Sequence, residues 1–334
     1  MGLFSRRRVD VLTIGRIGVD IYPLQLGVGL EDVTSFGKFL GGSPTNVAVA
    51  AARLRHSAAV ITRVGDDPFG RFCRREMVRQ GVYDDFVMED AALNTPVTFC
   101  ELFPPDHFPL YFYRRPTAPD LQLAQDELPL DAIRQAWVFW ITATGLCQEP
   151  SSGAHRAALE ARGRSGHTVL DLDYREAFWG SPDDAGAAIR EVLPHVNVAI
   201  GNLEECEIAV GERDPVRAGE ALLDTGVDIA VVKQGPRGVL AMTPHERWFV
   251  PAVTIEVVNG LGAGDAFGGA FCHGLLSGWS LRETVEAASC AGALVATRLE
   301  CSTAMPSEPE LLDTVRRFGV QATHVADREQ EKPS

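Results

Sequence analysis

The stretch Val257-Val258-Asn259-Gly260-Leu261-Gly262-Ala263-Gly264-Asp265-Ala266-Phe267 decides how this chain is read. Upstream, Phe249 to Val258 is rich in β-branched and apolar residues, which predicts a strand. Downstream, Ala266, Phe267, Ala270, Phe271, Gly274 and Leu275 recur at helical spacing. Between them stand Gly260, Gly262 and Gly264, followed by an aspartate. Glycines leave backbone N–H groups uncovered by side chains. At a helix start, those amides and the positive end of the macrodipole form an anion site. Asp265 falls in the first helical turn, where a carboxylate is favoured in its ionised form. An anion cradle beside a fixed carboxylate suits phosphoryl transfer to a hydroxyl. The amides of Gly262, Ala263 and Gly264 would stabilise the moving group, and Asp265 would accept the proton. A glycine turn serving helix stability alone has the same local pattern, so the flanking chain matters.

The bulk properties narrow the class. At 334 residues and 46% apolar content the chain has ample length for a large α/β core. No apolar run approaches the roughly 18 residues of a membrane span. The basic start, Arg6-Arg7-Arg8, passes into a polar-interrupted strand, unlike a signal peptide, so cytoplasmic residence is expected. Seven cysteines without a C-x-x-C pair fit reduced core thiols better than disulfides or zinc. A net charge of −14 argues against nucleic acid as a partner. It leaves room for an anionic small molecule held by a local cluster of arginines and lysines.

Working outward, Asp10–Ile14 reads as a strand, and Gly15-Arg16-Ile17-Gly18-Val19-Asp20 leaves Asp20 near its carboxyl end. The segment 21–40 carries short strands, and Gly41-Gly42-Ser43-Pro44-Thr45-Asn46 opens an alanine-rich helix with Pro44 in its first turn. Thr95–Glu101 and Leu110–Arg114 read as strands that, with those of 16–40, form a small β-element over a site. From Trp137 onward strands and helices alternate, which predicts a mainly parallel, doubly wound sheet. Asp171-Leu172-Asp173-Tyr174-Arg175 closes one strand. Asn202 and Glu205, three apart at a helix start, suit either a hydrated Mg²⁺ or a capping box. Lys233-Gln234-Gly235-Pro236-Arg237-Gly238 is a turn that either approaches a nucleotide or joins a hairpin. The helix over Leu281–Thr297 carries small residues, Ala291 among them, that admit a flat ring or another helix.

Taken in order, these motifs resemble the ribokinase-like (PfkB) carbohydrate kinases. Gly41–Asn46 is similar to that family's N-terminal signature, and Gly262-Ala263-Gly264-Asp265 to its C-terminal one. Asn202–Glu205 resembles its N-x-x-E motif, and Val232–Gly238 its nucleotide-side strand and turn. The resemblance implies a three-layer α/β fold over residues 9–320, a central mostly parallel sheet flanked by helices, with a β lid from about 16–40 and 95–115. Residues 321–334 would be a flexible tail. It further implies ATP and Mg²⁺ as cofactors, with Asp265 as base and Gly262–Gly264 as anion hole. Asp20, Gly41, Gly42 and Asn46 would contact sugar, while Asn202, Lys233, Gly235, Gly238, Gly262, Gly264 and Ala291 would face the nucleotide. Asn202 and Glu205 would hold Mg²⁺ through water. Where the family has Asp-Thr-Thr, this chain has Asn259, Gly260 and Leu261, which leaves monovalent-cation dependence open.

The likeness extends to members that phosphorylate a sugar acid, through Gly15-Arg16-Ile17, Phe36-Gly37-Lys38-Phe39, Tyr113-Arg114, Asp171–Arg175 and Cys301–Pro306. A sugar acid needs cations, and Arg16, Lys38, Arg114 and Arg175, with Asp173, are the candidates for its pocket. A sibling sugar kinase and a non-catalytic sugar-binding regulator are the competing readings. A dinucleotide enzyme is excluded, because the first strand lacks G-x-G-x-x-G opening a helix. A lid with free strand edges also invites a second copy of the chain, so a homodimer is expected.

Overall fold

The computed structural model describes residues 8–325. In chain order its strands are β1 (Val11–Ile14), β2 (Gly18–Pro23), β3 (Phe36–Gly41), β4 (Ala58–Gly65), β5 (Val82–Tyr83), β6 (Val87–Asp90), β7 (Val97–Cys100) and β8 (Leu110–Tyr113). They continue with β9 (Val138–Thr142), β10 (His167–Asp171), β11 (Val198–Asn202), β12 (Ile229–Lys233), β13 (Gly238–Met242), β14 (Arg247–Pro251) and β15 (Thr323–His324). The α-helices are α1 (Ser43–Arg53), α2 (Pro68–Arg79), α3 (Leu130–Gln135), α4 (Ser151–Arg162) and α5 (Pro182–Val192). After them come α6 (Leu203–Val210), α7 (Pro215–Asp224), α8 (Ala263–Ser277), α9 (Leu281–Ala296) and α10 (Glu308–Phe318).

The main sheet runs β15-β14-β13-β12-β11-β10-β9-β1-β4-β5, with β6 also paired to β4. From β12 to β5 neighbouring strands are parallel, and β13, β14 and β15 add antiparallel. Central strands such as β1 and β9 are buried at every position, as expected of a parallel sheet covered on both faces. One face packs on α1, α2, α8, α9 and α10, the other on α3 to α7, which gives three layers. The α1–α8 contact is unusually close: a Cβ on Gly269 would stand 2.2 Å from Ala50 Cβ. That proximity brings the start of α1 beside the start of α8.

A separate four-stranded sheet, β3-β2-β7-β8, forms the lid within the expected segments. Its pleat sets Asp20 opposite Phe39 and Ile21 opposite Lys38, so the first pair and the second lie on opposite faces.

Two expectations are corrected. The strand before Gly262 does not extend to Val258; β14 ends at Pro251, which has no N–H to continue a ladder. An irregular segment follows, and the Val258 and Asn259 amides donate to the Ala296 carbonyl at 2.9 and 3.2 Å, anchoring the glycine turn on the end of α9. The expected tail is also partly ordered, because Thr323 and His324 pair with Phe249 and Trp248 as an edge strand. Residues 326–334 lie outside the described part.

Candidate active site

The strand order reverses around β1, which lies between β4 and β9, and a crevice opens at the carboxyl ends of these strands. A cavity of about 180 Å³ occupies it, bounded by the inner lid face and by the starts of α1 and α8.

Gly262 is the N-cap of α8 with φ +79°, and no side chain caps the helix, so its first-turn amides stay open. Asp265 in that turn faces the cavity. Ser43 Oγ donates to its Oδ1 at 2.7 Å and Asn46 Nδ2 to its Oδ2 at 2.8 Å. Burial raises the Asp265 pKa above the usual carboxylate range, while the Asn46 and Ser43 bonds pull it back. Asn46 therefore lines the cavity but directs its amide at the aspartate, where the sequence suggests a sugar contact. Ser43→Ala removes a donor that favours the ionised carboxylate. The acid limb of turnover should move to higher pH, with a few-fold loss on that limb that narrows toward alkaline pH, measured as a pH–rate profile.

Asp20 reaches the cavity from β2. Burial lifts its pKa to about 7, against the Tyr22 hydrogen bond and the Arg16 charge. Gly41 does not line the cavity; it makes room, since a Cβ there would stand 2.2 Å from Asp20 Oδ1. Gly42 does line it, at φ +102°, with its missing Cβ 2.4 Å from the Arg16 carbonyl.

Three of the four expected cations converge. Arg16, Arg114 and Arg175 line the cavity. Lys38 is corrected: it lies on the outer lid face, its Nζ 4.0 Å from the Phe72 ring, because the pleat turns it away from Asp20. Asp173 is corrected too, from sugar contact to anchor. It is 3% exposed, with Oδ2 2.5 Å from Arg16 Nη2 and Oδ1 2.8 Å from Arg175 Nη2. Burial alone would raise its carboxyl, but Arg175 and Arg16 hold it well below the ordinary range. Arg114 pairs with buried Asp120 at 2.7 Å and, like Arg16, stacks toward the Phe178 ring, at 4.7 and 5.4 Å.

On the other side of the Gly262 turn, Lys233 Nζ lies 3.7 Å from where a Cβ on Gly264 would be and 4.0 Å from Asp171 Oδ1. Burial alone would lower its pKa, but Asp171 and Glu205 raise it, so the ammonium stands charged beside the open amides. Burial pushes the Asp171 carboxyl up to about 7 despite Lys233. Asn202 and Glu205 form a reciprocal capping box on α6, using Asn202 Oδ1 and Glu205 Oε2. No group of three metal-ligating side chains converges among the described residues. The donor set, Glu205 with Asp171 near Lys233, fits a cation held by water and phosphate oxygens more than a direct protein cage. Gly235 sits exposed in the β12–β13 turn. Gly238 is buried there for packing, since a Cβ would meet the Val250 carbonyl at 2.2 Å. Ala291 is corrected: it is 0% exposed in the core, and the next residue, Gly292, is the one against the Ala263 carbonyl.

Site residues not marked by sequence include Ser43, Tyr22, Thr144, Phe178 and Cys301. Tyr22 had a signal, lying two residues from Asp20 on a strand and hence on the same face. Cys301 stands in a stretch that carries the likeness to sugar-acid kinases, but its contact with the lid across 279 residues had no local signal.

The pfkB family carbohydrate kinase model matches residues 9–308. The chain is 31% identical over 321 residues to a 5-dehydro-2-deoxygluconokinase of Geobacillus thermodenitrificans, covering 94% of each chain. It is 32% identical over 323 residues to one of Photobacterium profundum, covering 94% of this chain and 97% of that one. Among solved structures, a Vibrio cholerae fructokinase with fructose, ADP and calcium bound superposes with a TM-score of 0.80 at 26% identity, over 92% of this chain and 99% of its own. An E. coli protein described as a ribokinase II, solved with ATP and Mg²⁺, shares the fold with a TM-score of 0.84 at 22% identity, over 92% and 99%. The chain belongs to the pfkB family of carbohydrate kinases.

Proposed function

We propose that this kinase transfers the γ-phosphoryl group of ATP to the 6-hydroxyl of 5-dehydro-2-deoxy-D-gluconate, a sugar acid of myo-inositol breakdown, in the cytoplasm. The observation that carries this reading is the convergence of guanidiniums on the pocket. Arg16, Arg114 and Arg175 all line it, and Arg16 and Arg175 share the single carboxylate of Asp173. Guanidiniums present planar pairs of N–H donors that suit a ligand carboxylate better than the hydroxyls of a neutral sugar. The names of the relatives in Geobacillus and Photobacterium agree with it.

In the reaction, Asp265 takes the proton of the 6-hydroxyl as its oxygen bonds to the γ-phosphorus and the bond to the ADP oxygen breaks. The α8 amides and Lys233 face the charge carried by the phosphoryl oxygens. Mg²⁺, when bound near Glu205 and Asp171, neutralises phosphate charge. Asp20 accepts from sugar hydroxyls. A homodimer through the lid belongs to the same proposal, supported by the exposed Phe36, Tyr111 and Tyr113; light scattering tests it.

The experiment is an ADP-release assay with ATP and Mg²⁺ over 5-dehydro-2-deoxygluconate, 2-keto-3-deoxygluconate, fructose and ribose, on the wild type and on Arg175→Ala. The first substrate should be preferred, and the variant should lose more on the two acids than on the neutral sugars. Preference for fructose or ribose would discard the sugar-acid reading and keep the base; silence on all four would favour a sugar-binding regulator.

A further inference from the structure

The sugar pocket contains a hydrogen-bonded pair that the reaction itself does not use. Tyr22 is 1% exposed and its hydroxyl lies 2.9 Å from Asp20 Oδ2 and 2.7 Å from Cys301 Sγ. Tyr22 has one proton, given to Asp20, so the thiol donates to the Tyr22 oxygen. The result is an ordered chain from Cys301 through Tyr22 to Asp20. Its two ends belong to different parts of the molecule: Tyr22 and Asp20 are on lid strand β2, and Cys301 follows α9 in the body. Cys301 also underlies the amide cradle, since a Cβ on Gly262 would stand 2.7 Å from its sulfur.

This geometry restricts Asp20. One oxygen is engaged by Tyr22, and the empty space at Gly41 is filled by the same carboxylate. That leaves Oδ1 as the acceptor open to a ligand.

We propose that Tyr22 and Cys301 are positioning residues that hold the Asp20 carboxylate in one orientation toward the sugar and fasten the lid to the body beside the amide cradle. The proposal rests on the reading of Asp20 as a sugar-contacting group. The groups that face Asp20 are Tyr22 on its own strand, Arg16 from the β1 turn, Asp265 from α8, and the thiols of Cys73, Cys100 and Cys301. Burial lifts the Asp20 pKa, and the Tyr22 bond is the largest influence holding it down. Loss of that bond raises it further.

The test uses Tyr22→Phe, which removes only the hydroxyl, with Cys301→Ala and Cys301→Ser. With whichever sugar the wild type phosphorylates, Tyr22→Phe should raise the sugar KM about tenfold and leave kcat and the ATP KM within about twofold. Cys301→Ala should raise the sugar KM about threefold, and Cys301→Ser should restore it, because the serine hydroxyl still donates to Tyr22. Independently of activity, NMR of the full chain labelled with carboxyl-¹³C aspartate should show the Asp20 midpoint, about 7, moving to higher pH in Tyr22→Phe. An unmoved Asp20 midpoint overturns the proposal whatever the substrate is, and so does an equal rise in the KM of sugar and of ATP. Failure of Cys301→Ser to improve on Cys301→Ala overturns the role of the cysteine. A wild type inactive on every sugar tested would instead sink the proposed function, with the titration still deciding this point.

Discussion

Asp265→Asn should lower kcat by about 10²–10⁴-fold, with ATP and sugar affinities held within a few-fold. The substitution is isosteric: its oxygen can keep the bond from the Asn46 amide made to Oδ2 at 2.8 Å, and its NH2 can donate to the Ser43 hydroxyl that now donates to Oδ1 at 2.7 Å. What it removes is the capacity to take a proton. The open amides of α8 remain, so residual turnover above the uncatalysed rate is expected from phosphate positioning alone. Because burial raises the Asp265 pKa, wild-type kcat should fall as the pH drops through a value above the ordinary carboxylate range. That limb should be absent in the variant. The measurements are ADP release across pH and calorimetric titration of each ligand. Turnover close to wild type would remove Asp265 from the base role.

The second large effect is expected at Asp173. Its carboxylate joins Arg16 at 2.5 Å, Arg175 at 2.8 Å and the Thr144 hydroxyl at 3.2 Å, in a setting where it is itself 3% exposed. Asp173→Ala leaves Arg16, with 8% of its side chain exposed, without its counter-charge. Breaking a buried pair on one side costs about 3–5 kcal/mol, so the urea midpoint should drop by a corresponding amount at pH 7. The sign with pH follows from the depressed carboxyl. A group whose folded pKa lies below its unfolded value stabilises above the unfolded pKa and loses that stabilisation as pH falls through the folded one. The gap between wild type and variant should therefore be full at pH 7 and shrink only in strong acid. A variant as stable as wild type at pH 7 would show that Asp173 does not anchor the two arginines. The sugar pocket should suffer as well, since both guanidiniums line it.

Both predictions use residues that stand in recognisable stretches of the chain, yet the sequence distinguished them unevenly. Asp265 was legible because the glycines before it and the helical period after it each have a local physical cause. Asp173 was legible as a carboxylate at a strand end, but its partner Arg16 was not, because it lies 157 residues away. Lys38 shows the opposite case: its cationic type suited a sugar acid, and the lid pleat alone sends it to the outer face. Ala291 shows how small residues on a helix serve close packing as readily as a ligand. Helices α3, α7 and α10 and strands β5 and β6 escaped the sequence reading, being short or lacking strong periodicity.

The sequence by itself determined the alternation of strands and helices, the lid segments, the glycine turn before α8 and the carboxylate of Asp265 in its first turn. All of these rest on local propensity, glycine geometry and burial period, which act over a few residues. Only the tertiary structure decided which groups meet: Ser43 and Asn46 on Asp265, Asp173 between two arginines, and Cys301 beneath Tyr22. It also ended β14 at Pro251 and hung the glycine turn on the end of α9. Those outcomes depend on close approach of helices such as α1 and α8 and on the register of the lid, which are properties of packing across the whole chain.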